Sequence, residues 1–140
     1  MSERLIVEFY EEGKRDKPVA TVLAYHGGQD PEAAAFTLAA FFSALKTLEQ
    51  PRFNDAQVLA ARFVSWQGFE CRLSAKPFDF IDVGIINDSK EYEGYLIARV
   101  HAHSVRPHVE FVKDSFCAAN ELSTASIILG QSYVDRMETP

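Results

Sequence analysis

Four residues with the chemistry to hold a metal lie close together late in the chain: His101, His103, His108 and Glu110. A strand over Tyr92 to Ala102 alternates sides, sending Tyr95, Ile97, Arg99, His101 and His103 one way and Leu96, Ala98, Val100 and Ala102 the other. A further strand over His108 to Val112 carries His108 and Glu110 on one face. In an antiparallel pair these come opposite His101 and His103. Three imidazoles and a carboxylate on one patch would suit zinc or another divalent metal as ligands, although no cofactor is expected of this sequence. The competing expectation is a half-solvated strand face, where Arg, His and Glu are ordinary and a bare His-x-His carries no further ligand spacing.

Other candidates each have a plainer counterpart. His26-Gly27-Gly28 precedes a helix start, where glycines let backbone N–H groups approach a phosphate. It fits neither GxxxxGK[ST] nor GxGxxG, and Asp30 and Glu32 would repel an anion, so the glycines read as a turn. Cys71 and Cys117 have apolar neighbours and no nucleophile signature, which suits small buried thiols. Asp79, Asp82, Asp88, Glu91 and Glu93 crowd presumed turns, and carboxylates bathed in water do not separate their pKa values for acid and base work. Arg62, Phe63 and Trp66 carry the residue types of interface hot spots on a stripe that equally suits a core.

Composition narrows the classes. A chain of 140 residues with 47% hydrophobic content, eleven Phe and five Tyr can bury a sizeable aromatic core without disulfide or metal staples. Twenty acidic against fourteen basic residues give a net charge of −6 and no basic stripe, which argues against nucleic-acid binding. Two cysteines without CxxC spacing indicate reduced thiols in a cytoplasm. The first residues lack a signal-peptide core, and no apolar run reaches the roughly 20 residues that cross a bilayer. A cytoplasmic protein without membrane contact is expected.

Periodicity places the elements that would position these residues. Arg4 to Glu11 alternates, with Leu5, Val7 and Phe9 opposite Ile6, Glu8 and Tyr10; Gly13 supplies a turn and Pro18 to His26 alternates again, giving a hairpin. Asp30-Pro31-Glu32 combines an N-cap acceptor, a first-turn proline and an acid at the positive end of a helix dipole. That helix is expected to run to about Glu49, with Ala34, Leu38, Phe41, Leu45 and Leu48 on one face and Phe36, Ala40 and Phe42 making the flanks apolar. So wide an apolar surface calls for cover on more than one side. A second helix starts at Asn54, where Asn54/Gln57 have capping-box and Phe53/Val58 staple spacing, and Gly68 would end it. From Pro77 the pattern turns to strands, through Phe78 to Ile86, Tyr92 to Ala102 and His108 to Val112. The tail has an apolar patch at Ile127-Ile128-Leu129 before Gly130, which suits a short helix, a strand or an arm.

These observations predict an α+β domain over residues 1–113: an antiparallel sheet, built from the N-terminal hairpin plus two or three later strands, with two consecutive helices packed on one face. Residues 114–140 would form a tail packed on the domain or on a partner. With no specific catalytic motif, the expected function is a small non-catalytic binding or protein-interaction module, acting as a homodimer or with a protein partner through Phe36, Phe41, Phe42 or Trp66. The alternatives are a metal-binding protein or metal-dependent enzyme using His101, His103, His108 and Glu110, and a small-molecule site in an aromatic-lined pocket between helices and sheet.

Overall fold

Leu5 to Tyr10 form a strand, β1, in which every residue is buried, so both faces of it must be covered. The computed structural model describes residues 4–24, 28, 30–74, 84–86, 96–112, 119–130 and 135–137. Leu5, Val7 and Phe9 enter one apolar core, while Ile6, Glu8 and Tyr10 lie on the opposite side of the sheet, as the alternation requires. Beyond the turn at Gly13, whose φ of 76° suits a residue without Cβ, the chain returns as β2 (Ala20–Ala24), antiparallel to β1. Gly28 then passes so close to the start of β1 that an added Cβ would stand 1.5 Å from the Arg4 carbonyl oxygen. His26 and Gly27 lie outside the described residues.

Helix α1 (Pro31–Lys46) begins as its sequence demands: the Asp30 carboxylate accepts from the Ala33 N–H at 2.7 Å, and Pro31 occupies the first turn. It ends before the expected Glu49, because the Thr47 and Leu48 amides turn back to the carbonyls of Ala44 and Leu45. Helix α2 (Ala56–Ser74) is capped by Asp55 rather than Asn54: the Asp55 amide closes a turn on the Arg52 carbonyl, and its carboxylate accepts from the Val58 N–H at 3.1 Å. Arg52, at φ 59°, makes that turn possible. Gly68 lies inside α2 instead of ending it. A helical glycine costs about 1 kcal/mol relative to alanine, which tertiary packing readily offsets.

Three rings bind these helices to the sheet. Phe63 of α2 meets Phe9 of β1 at 5.7 Å between centroids and Phe41 of α1, edge-on, at 4.9 Å. Trp66 leans on Phe41 at 5.6 Å and is only partly buried. Helix α3 (Ala119–Leu129) adds Leu122, Ala125 and Leu129 to the same core, and Gly130, at φ 68°, follows it. The region expected to be a tail thus supplies core residues.

The content is mixed α+β, but the sheet is mixed rather than purely antiparallel. β3 (Gly84–Ile86), β4 (Ile97–His101), β5 (His108–Val112) and β6 (Asp135–Met137) join the hairpin in the order β3-β2-β1-β4-β5-β6. β4 runs parallel to β1 and β6 parallel to β5, while the other pairs are antiparallel. A parallel neighbour needs a long connection, which β1 to β4 has through α1 and α2 and β5 to β6 has through α3; length alone does not decide, since β3 follows the same two helices and pairs antiparallel with β2. The remainder of the strands expected over Phe78 to Ile86 and Tyr92 to Ala102 falls largely outside the described residues. Among the described residues no helix is long and apolar enough to cross a membrane.

Two substitutions check this construction. Gly28→Ala must push the chain off Arg4 and is expected to lower the urea midpoint by the equivalent of about 1–3 kcal/mol, with an unchanged m-value. Asp30→Ala should cost about 1 kcal/mol by the same measurement.

Candidate functional site

The face of β1 that carries Glu8 and Tyr10 holds a cluster of charged side chains, and strand register explains how it is assembled. Across the sheet Thr21, Glu8, Arg99 and Glu110 stand side by side on β2, β1, β4 and β5; one row along, Tyr10, His101 and His108 do the same. Glu8 and Glu110 are 6% and 2% exposed, so each carboxylate needs a cation or donor to offset its lost hydration. Glu8 Oε1 accepts from Arg99 Nε at 2.7 Å and from the Tyr10 hydroxyl at 3.1 Å. Glu110 Oε2 accepts from Arg15 Nη2 at 2.8 Å, while Glu110 Oε1 meets His101 Nε2. Arg15 reaches it from the exposed loop between β1 and β2. The Tyr10 ring stacks on His101 at 5.1 Å, and the Arg99 guanidinium lies over Tyr10 at 5.8 Å.

This setting fixes protonation. Burial pushes the Tyr10 phenol up to about 12, with the Glu8 charge adding to the effect. Burial also lowers His101, and the charges of Arg15 and His108 add to that against the opposing pull of Glu110. For Glu110, burial works upward, but the Arg15 hydrogen bond and the charges of His101, Arg15 and His108 outweigh it and hold the carboxyl below its ordinary value. The consistent state is an ionised Glu110 in contact with a neutral His101. In that state the carboxylates are engaged by cations and donors of the same chain.

His101 and His108 do stand opposite one another, with ring centroids 6.4 Å apart. Glu110 is opposite Arg99 rather than a histidine, because the His101/His108 pairing fixes the antiparallel register. His103 lies beyond β4, exposed; its Nδ1 accepts from the Val105 N–H at 3.1 Å, and its own amide donates to the Phe53 carbonyl. Among the described residues no three His, Cys, Asp or Glu side chains are arranged to hold a metal ion.

Of the residues expected at an interface, Phe36 is 58% exposed and Trp66 partly buried. Phe41 and Phe42 are enclosed in the chain's own core, so neither offers surface to a partner. Arg62 binds the loop before α2, donating to the Gln50 and Pro51 carbonyls at 2.9 and 2.7 Å. Cys71 falls within α2; Cys117, Asp79, Asp82, Asp88, Glu91 and Glu93 lie outside the described residues. Sequence reasoning did not connect Glu8, Tyr10 and Arg15 to the histidine strand. The available signal was a glutamate in an otherwise apolar strand and an arginine at the matching place in another.

Comparison of the chain with family models, curated proteins and solved structures finds no match.

The cluster has a pH signature. His101 and Glu110 bind protons less readily folded than unfolded, so stability is expected to fall as pH drops below 6.5, the ordinary imidazole value, and again below 4.5. Tyr10 acts in the opposite sense: the unfolded phenol ionises near 10.0 and the folded one at about 12, so stability declines across that interval. Urea unfolding from pH 4 to 11 should show both limbs, with the upper one reduced in Tyr10→Phe and the step below neutrality reduced in His101→Gln. Removing the close cation beside Glu8 with Arg99→Ala is expected to cost roughly 3 kcal/mol.

Proposed function

We propose that the chain is a small non-catalytic binding module that acts by self-association, with α1 and α2 forming a helical layer over one face of the sheet. The observation that carries this reading is Phe36: it stands 58% exposed on α1, whereas Phe9, Phe41 and Phe63 are fully enclosed. A large ring held in water on a rigid helix is the kind of group that anchors an interface. The charged cluster suits a non-catalytic reading, since Glu8 and Glu110 pair with Arg99 and Arg15 within the fold. A net charge of −6 disfavours a nucleic-acid partner, and two cysteines without CxxC spacing suit a reducing cytoplasm.

One observation favours a second reading, metal binding: His101, His108 and Glu110 share a sheet face. It would need His103 or another ligand to join them. A small-molecule pocket between helices and sheet has less support, because Phe9, Phe41 and Phe63 pack on one another there.

Light scattering on untagged protein from about 10 μM to about 0.5 mM, with metal content measured on the same sample, separates the readings. A metal-free dimer that dissociates on dilution, and that Phe36→Glu abolishes without loss of folding, is the expected result. A monomer carrying stoichiometric zinc, lost in His101→Ala/His103→Ala, would replace this reading with the metal one.

A further inference from the structure

At about 3.6 residues per turn, Glu32, Phe36, Ala40 and Ser43 fall on one stripe of α1, and all four are exposed. The opposite arc, Ala34, Ala35, Leu38, Phe41, Phe42 and Leu45, is spent on the chain's own core. The exposed stripe is therefore one large ring followed, within two turns, by small side chains. It is bounded by an acid in the first turn and by exposed Lys46 in the last.

A contact between identical copies about a two-fold axis must set one surface against itself, so each protrusion needs its recess on the same patch. Phe36 is a protrusion, and Ala40 with Ser43 leaves a recess. Charge decides the direction. Parallel α1 helices would oppose Glu32 to Glu32 and Lys46 to Lys46. An antiparallel pair with its axis beside Ala39 and Ala40 brings Phe36 over the second copy's Ser43, and Glu32 within a residue of the second copy's Lys46, twice by symmetry.

We propose that the occupant of this face is a second copy of the chain, docked through antiparallel α1 helices with Phe36 seated over Ala40 and Ser43 and with Glu32 paired to Lys46 at both ends. This rests on the self-association reading and specifies its geometry. A 16-residue helix is about 24 Å long, so the contact belongs to the small, weak class of interfaces and the dissociation constant should be on the order of 10–100 μM.

Charge reversal tests the geometry. By sedimentation equilibrium, Glu32→Lys alone and Lys46→Glu alone should each weaken the dimer by about tenfold, since either puts like charges together at both ends; the double reversal should return it to within about twofold of wild type. Ala40→Cys keeps both charges in place and should form a disulfide across the axis under mild oxidation, mapped by mass spectrometry to the residue 40 peptides. That readout does not depend on how the reversals affect helix stability. A wild-type dimer that ignores the single reversals, or is not restored by the double, and that forms no residue 40 crosslink, would overturn this arrangement while leaving self-association standing. A chain monomeric up to about 0.5 mM would overturn both.

Discussion

A carboxylate in the middle of a buried central strand must be met by a cation from a neighbouring strand, and Glu8 places that demand on the sheet. Arg99 answers it from β4 at 2.7 Å. Only when β4 lies beside β1 in the observed register does the guanidinium reach Glu8 while Ala98 and Val100 turn to the aromatic core. Slipping β1 by one residue would send Glu8 toward Phe41 and Phe63 and bring Val7 and Phe9 to the charged side. The ion pair and the aromatic core therefore select the same alignment from opposite faces.

The second pairing extends this control outward. Glu110 is nearly inaccessible, yet its partner Arg15 is half exposed and comes from the loop between β1 and β2. A loop otherwise in water is thereby tied to the far side of β4. His101 sits between these two arrangements, stacked on Tyr10 and touching Glu110, so its protonation is coupled to both.

Local patterns were legible in the sequence wherever the cause was itself local. The alternation of β1, the Asp30-Pro31 helix start and the His108 to Val112 strand depend on neighbours a few residues away, and each is found as read. Glycine punctuation was less dependable: Gly130 does follow a helix, one of the forms open for that segment, but Gly68 is carried inside one, against a small intrinsic preference that context can outweigh. The Asn54 cap was displaced by one residue through the left-handed turn at Arg52, a backbone choice that side-chain spacing does not encode. Strand direction was readable where a short connection joins neighbours, as in β1–β2 and β4–β5, but not for β1–β4 or β5–β6, since alternation looks the same in parallel and antiparallel neighbours. The pattern groups Glu110 with His101 and His108, but Tyr10, which stacks on His101, and Arg15, which binds Glu110, reach them through the β1 side of the sheet that alternation does not reveal.

The Glu8–Arg99 pair joins residues 91 positions apart through strands that run parallel. Folding rates fall as contacts grow more distant in sequence, because the entropy of closing so large a loop is lost before the contact repays it. β4 follows β1 only after both α1 and α2, so on a ribosome β1 waits for these helices to emerge before this neighbour exists. Until β3 and β4 emerge both edges of the hairpin are bare, a hazard for pairing with other chains. Glu8, costly to bury without Arg99, makes the wrong neighbour unrewarding: the charge that constrains the finished sheet also guards the unfinished one.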